Sequence, residues 1–171
     1  MRWVHSLRRL LLRARAACAR GARSPVAPHL ALGRRGEELA AEHLRAAGYQ
    51  LVARNFKLDV GRDRRGAPVQ AELDLVACEG PTLCFVEVKT RASDWFAAPE
   101  ANVDLRKQRQ LARAARAYRR LFGLAGAPSR YDVVSVVLPP PDADGRQPPP
   151  RVELLRGFFT DDKFRTPRRP F

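Results

Sequence analysis

A chain of 171 residues accommodates one ordinary domain and not two of normal size. Hydrophobic residues make up 45% of it, yet no uninterrupted apolar run approaches the ~20 residues that cross a bilayer, which excludes a helical membrane protein. The net charge of +14 favours a polyanionic partner, because lysine and arginine that neutralise phosphates release condensed counterions; nucleic acid leads and an anionic membrane surface is the rival.

That charge is uneven along the chain. Nine arginines and no acid precede Glu37, leaving 23 basic against 18 acidic groups, a balance of +5, for the remainder. Residues 1–32 read as an arginine-rich, disordered arm. Arginine interrupts each apolar stretch there before it reaches the length of a secretory signal, and Ser24-Pro25 and Pro28 mark a linker. A domain is expected over 33–164, with a basic tail over 165–171. Cys18, Cys78 and Cys84 form an odd set without a CxxC pair, and His5, His29 and His43 lie far from them in sequence. This argues against a zinc site or a disulfide framework and suits a reducing cytoplasm.

From Gly33 to Ala47 the residues favour a helix, with Gly48 placed to end it. Glu37 shares a stripe with Ala40, Leu44 and Ala47, while Glu38, Glu42 and Arg45 occupy the other side. Gln50 to Lys57 reads as a strand, followed by a turn through Gly61 and Gly66. Ala71 to Cys78 and Leu83 to Arg91 read as two strands closed by the connector Glu79-Gly80-Pro81-Thr82. A helix is expected from Val103 to Phe122, a strand from Tyr131 to Leu138, a proline-rich surface loop from Pro139 to Pro150, and an edge strand from Arg151 to Arg156. The order αβββαββ predicts an α/β (α+β) domain with a central mixed sheet flanked by helices.

Carboxylates occupy unusual places in that pattern. Strand alternation puts Glu72, Asp74 and Val76 on one face, with Leu73, Leu75 and Ala77 on the other, and it puts Glu87 and Lys89 beside Leu83 and Phe85. If Cys78 pairs with Leu83, counting back sets Asp74 opposite Glu87 and Glu72 opposite Lys89. Two like charges so placed destabilise a sheet unless something positive lies between them, and Mg2+ or Mn2+ is the natural candidate. Glu37 is a candidate third carboxylate, although an acid in a first helical turn is also stabilised by the helix dipole alone. The plain alternative is an exposed sheet face with a Glu72–Lys89 ion pair and no chemistry.

The second helix supplies a grip for phosphates. Arg106, Arg109, Arg113, Arg116 and Arg120 follow helical spacing down one side, against a buried stripe of Leu111, Ala115, Tyr118 and Phe122. Arg91 and Lys107 join the expected nucleic-acid contacts. No pattern suggests base-specific readout, so backbone or branched shape is the expected target.

Taken together, Gly33-Arg34-Arg35-Gly36-Glu37, Gly48-Tyr49, Arg54-Asn55, Glu72-Leu73-Asp74-Leu75, Phe85-Val86-Glu87-Val88-Lys89-Thr90-Arg91 and Asp132-Val133-Val134 resemble the YraN-like family of uncharacterised bacterial proteins, from about Gly33 to Phe164. That family is similar to the PD-(D/E)XK, restriction-endonuclease-like nucleases, and most closely to archaeal Holliday-junction resolvases. The resemblance implies Glu37, Asp74 and Glu87 as metal ligands and Asp74, Glu87 and Lys89 as the catalytic set, and it implies that Lys107 and Gln108 face the site. It implies a Mg2+-dependent endonuclease acting on nucleic acid, DNA rather than RNA, without a membrane and with homodimerisation left open. This chain departs from the family pattern at Ala71, where glycine is usual after a shorter turn, at Ala97 after Phe96, and at Asn102. The alternative function is a non-catalytic nucleic-acid-binding protein on the same scaffold; a third is a membrane-surface protein attached through residues 1–23.

Overall fold

The structure, a computed structural model, describes residues 28–93, 103–161 and 164. Most of the predicted arm, the departures at 97 and 102, and the basic tail lie outside these residues. The elements follow the expected order: α1 (Pro28–Ala46), β1 (Gln50–Arg62), β2 (Pro68–Glu79), β3 (Thr82–Arg91), α2 (Leu105–Leu121), β4 (Ser129–Val137) and β5 (Arg151–Phe159).

Helix α1 begins five residues before the expected start at Gly33. Pro28, read from sequence as part of a linker, opens the helix instead, since its missing N–H costs nothing in a first turn, where that donor has no intrahelical partner. The helix ends as predicted. Gly48 takes φ 86°, its N–H reaches Arg45 O, and the Tyr49 N–H reaches Leu44 O. The inward stripe is Gly36, Ala40, Ala41 and Leu44, and Ala47, just past the last turn, is exposed rather than buried.

The five strands form one mixed sheet in the order β1-β2-β3-β4-β5. Only β3 and β4 run parallel, and their crossover carries α2, as a parallel connection requires. The first hairpin is longer than expected: β1 continues to Arg62 and β2 starts at Pro68, so the turn is confined to 63–67. The second is tighter. Glu79 pairs with Thr82, leaving a two-residue turn of Gly80, at φ 53°, and Pro81.

Among the described residues each face of the sheet carries one helix. Ala40, Ala41 and Leu44 of α1 pack on Leu75, Ala77, Cys84, Val86, Val134 and Val136. On the other face Leu111, Ala115 and Tyr118 of α2 meet Val76, Cys78, Leu83 and Phe85. Rings close that second core, with Tyr118 edge-on to Phe56 at 5.1 Å and to Phe85 at 5.7 Å. Cys78 and Cys84 are buried free thiols, one in each core.

The sheet is not continuous from end to end. Pairing between β2 and β3 runs from Glu79–Thr82 to Leu75–Val86 and stops there. Beyond that point β2 pairs only with β1, and β3 only with β4. The sheet therefore forks, and Asp74 and Glu87 are the first residues past the crotch. β1 and β2 are irregular at the same level. Asn55, opposite Asp74, takes φ 49°, a conformation asparagine tolerates better than most residues. Leu73 and Val76, three residues apart, both join the α2-side core. This overturns the simple alternation that grouped Leu73 with Leu75 and Ala77.

The opposite end of the sheet is closed by a buried network. Asp132, fully buried, accepts from Arg130 Nε at 2.7 Å and from the Gly157 N–H at 2.8 Å, where β5 bulges against β4. Arg130 Nη2 also donates to Tyr49 Oη at 2.7 Å and to Glu79 at 2.8 Å. Gly48-Tyr49 and Asp132-Val133-Val134 thus tie the end of α1 to β4 and β5.

One glycine sets how close α1 comes to the fork. A Cβ on Gly36 would overlap the Thr90 side chain of β3, so the helix touches the strand there through backbone. In an exposed helix Gly→Ala would stabilise by up to ~1 kcal/mol. Here Gly36→Ala is expected to destabilise the domain by ~1–3 kcal/mol through overpacking, read as a lower urea midpoint. An unchanged or raised midpoint would show that α1 can move off β3 without loss.

Candidate metal and phosphodiester site

Glu87 lies in the middle of β3, facing α2, and is only 2% exposed. A carboxylate so buried requires positive partners, and two lysines supply them. Lys89, two residues along the same strand and so on the same face, places Nζ 3.0 Å from Glu87 Oε1. Lys107 of α2 places its Nζ 3.0 Å from the same oxygen. The other oxygen, Oε2, is buried and has no hydrogen-bond partner among the described residues.

Lys107 is delivered by a helix cap. Asp104 accepts the Lys107 N–H at 2.7 Å as the N-cap of α2, which fixes the first turn over β3. Gln108, expected to face the site, instead turns back and donates to Val103 O at 2.7 Å. Of the two residues expected to face the site, Lys107 reaches Glu87 and Gln108 bonds Val103 O instead. The useful signal was Asp104 three residues before Lys107.

Asp74 sits across the fork. The register anchored on Cys78–Leu83 is correct, so Asp74 and Glu87 are juxtaposed, but as side chains at a parting of strands and not as a ladder pair. Asp74 Oδ2 accepts the Val88 N–H at 2.9 Å, serving a main-chain donor on the edge of β3 that β2 no longer faces. The expected Glu72–Lys89 pair does not form. By that level β2 has left β3, and Glu72 pairs across β1 with Lys57 at 3.8 Å on the surface.

The electrostatics follow from this crowding. The Asp74 carboxyl is pushed up to about 7, by burial first and by the Glu87 charge second, with Glu37 adding to the rise. The Val88 N–H and Lys107 pull the other way. Burial alone would lower Lys107, and the Glu87 and Asp74 carboxylates reverse this, leaving it above its ordinary value. Glu37 of α1 is half-buried and stands close enough to Asp74 for its charge to be felt. Among the described residues no three acidic, histidine or cysteine side chains converge into a closed ion cage.

A cleft of about 220 Å3 opens beside Glu87, between α2 and the outer part of the first hairpin, with Val60, Val69, Glu72, Lys107 and Arg113 among its walls. The arginines predicted to grip phosphate differ in their availability. Arg106 is exposed. Arg113 donates to Val60 O at 3.1 Å, Arg116 pairs with Asp161 at 3.2 Å, and Arg109 lies over the Phe164 ring at 5.7 Å. Arg91 is half-buried at the end of β3, where its carbonyl accepts from Leu138.

The family described as "Uncharacterised protein family UPF0102" matches residues 36–136, a span that includes the fork, both lysines and the Tyr49, Glu79, Arg130 and Asp132 side chains of the buried network. Individual relatives agree. A UPF0102 protein of Solibacter usitatus is 42% identical over 127 residues, covering 74% of this chain and 84% of the relative. One from Geobacter sulfurreducens is 38% identical over 128 residues, covering 75% and 88%. One from Symbiobacterium thermophilum is 42% identical over 128 residues, covering 75% and 95%.

The raised Asp74 carboxyl has a direct readout. Its side-chain carbon resonance is expected to titrate near pH 7. Glu87→Gln, which removes the neighbouring negative charge, is expected to move that midpoint down, and Lys107→Met, which removes a positive one, to move it up. A midpoint near 4 in the parent protein would mean that Asp74 is solvated and that the fork is open to water.

Proposed function

Since this chain belongs to the uncharacterised protein family UPF0102, a description that assigns no activity, its chemistry has to be read from the fork, and we propose that it is a divalent-metal-dependent endonuclease hydrolysing phosphodiester bonds, in DNA rather than RNA. The observation that carries this reading is the buried Oε2 of Glu87, without a hydrogen-bond partner among the described residues, close to a second carboxylate, Asp74, across parted strands. Leaving such an oxygen without a donor costs on the order of 1–3 kcal/mol or more, a cost that a cation between Asp74 and Glu87 would relieve.

Asp74 and Glu87 would hold the ion, with Glu37 approaching from α1. An open, two-carboxylate site suits Mg2+ or Mn2+, which keep waters and accept substrate phosphate oxygens as further ligands. When bound, the ion supplies Lewis acidity at the phosphate. Lys89 enters as positive charge. Its side chain is 30% exposed, long and flexible, and can follow negative charge onto the non-bridging oxygens as the scissile bond breaks. Lys107, from α2, holds Glu87 in place while presenting a second ammonium group to the same cleft. The half-buried surroundings limit water and strengthen each of these charge interactions.

The test is cleavage of labelled single-stranded, duplex, flap and four-way-junction DNA and of RNA, in Mg2+, Mn2+ or chelator. Metal-dependent cutting is expected, reduced at least ~100-fold in Asp74→Ala and in Lys89→Ala. Mn2+ affinity is also expected to weaken about tenfold per pH unit below about 7, as Asp74 takes up the proton that competes with the ion. Binding without cleavage under every metal would replace this reading with a non-catalytic nucleic-acid-binding protein on the same scaffold.

A further inference from the structure

The first hairpin does more than the sheet requires. Past the fork, Lys57–Arg62 of β1 pair with Pro68–Glu72 of β2, while β2 no longer touches β3. These residues form a two-stranded arm with both outer edges unpaired by any strand among the described residues. Six residues separate Asp74 from Pro68, so at ~3.3 Å per residue the arm reaches about 20 Å from the carboxylates.

The arm is held along one side by α2 and built at its tip. Phe56, Leu58 and Val60 pack against the α2-side core, and Arg113 Nε bonds Val60 O. At the tip, Asp63 Oδ1 accepts the N–H groups of Arg65 at 2.8 Å and Ala67 at 2.9 Å. The Asp63 N–H reaches Ala67 O, the Gly66 N–H reaches Asp63 O, and Arg62 Nη1 donates to Gly66 O at 2.6 Å. Gly66 takes φ 82°, which the turn needs. Arg62 and Asp63 are thus used in shaping the turn, and Arg64 and Arg65 are left exposed, with no carboxylate paired to either guanidinium among the described residues.

Charges on an edge strand also protect against aggregation. Edge protection does not account for a turn preorganised by five hydrogen bonds that presents two adjacent, unpaired arginines about 20 Å from a phosphodiester-type site. That distance spans about six base pairs of B-form DNA, and a two-stranded β-ribbon fits its ~12 Å major groove. The deep, narrow major groove of A-form RNA does not admit one. We infer that the arm at residues 57–72 is a docking element for the double-stranded DNA flank of the substrate, entering the major groove and setting Arg64 and Arg65 on its phosphates. The inference rests on the nuclease reading for its substrate, but it concerns binding and is measured without cleavage.

The experiment uses the full chain, Ca2+ or chelator in place of Mg2+, and fluorescence anisotropy with a labelled duplex of about 20 base pairs and with one of its strands alone, between about 50 and about 200 mM salt. Arg64→Gln/Arg65→Gln leaves the main-chain turn intact, which an unchanged melting temperature would verify. Duplex affinity is expected to fall about tenfold at low salt, with the slope of log affinity against log salt shallower by about 1.8, two phosphate contacts at ~0.9 each. Single-strand affinity is expected to stay within about twofold, because the strand alone offers no groove, and Arg64→Lys/Arg65→Lys is expected to restore most of the slope. An unchanged duplex slope in a parent protein that binds duplex DNA overturns the arm and leaves the nuclease reading standing. An equal loss on single strands also overturns it, since that is generic charge. Absence of any nucleic-acid binding by the parent chain overturns both.

Discussion

The parting of β2 from β3 at Asp74 and Glu87 is the constraint on which the other features of this domain depend. A regular antiparallel ladder carried one residue further would set two carboxylates directly opposite each other. The chain avoids this by ending the ladder at Leu75–Val86 and giving the Val88 N–H to the Asp74 side chain instead of to a main-chain carbonyl. Once the strands part, Glu87 has no strand neighbour on that side and is nonetheless buried, so ammonium groups must come to it from Lys89 and from α2. The positions of Asp104 as a helix cap and of Gly36 against Thr90 can be understood as consequences: one brings Lys107 in, and the other lets α1 carry Glu37 close.

The two ends of the sheet make an instructive contrast. Asp132 is as buried as Glu87, and its oxygens are engaged by a chelating guanidinium and a backbone N–H, with Tyr49 and Glu79 completing the network. That end has the character of a structural staple, in which a buried charge is compensated from all sides. Among the described residues nothing donates to Glu87 Oε2, and Lys107 serves both Glu87 and Asp74. A domain able to satisfy one buried carboxylate fully has left another incompletely satisfied, and such departures from polar satisfaction concentrate where a protein acts.

The fork also gives the molecule its asymmetry. On one side of it the sheet and two helices form the closed double core; on the other the first hairpin runs on alone, tied to α2 through Arg113 and by apolar side chains of β1. Part of the arginine face of α2 is consequently engaged with the protein itself, through Val60, Asp161 and Phe164. Helical periodicity correctly located that face. Whether a given guanidinium was available to a ligand depended on segments distant in sequence.

By itself the sequence determined the element order, the mixed α/β character, the Cys78–Leu83 register and the grouping of Glu87 with Lys89, because each follows from short-range periodicity and turn chemistry. Local pattern also placed Gly48 at a helix end, whereas Lys107 was set near the site by family resemblance and not by any local signal. It misjudged the start of α1, since Pro28 serves equally as linker or first helical residue, and it extended strand alternation through Asn55 and Asp74, where backbone irregularity breaks it. Only the tertiary structure decided that the sheet forks, that Glu72 turns to Lys57, that Gln108 turns away, and that Glu87 is buried with one oxygen unpaired. Each of those outcomes depends on which strand or helix comes to lie beside a residue, and on how far from water that leaves its charge; neither quantity is encoded at short range in the chain.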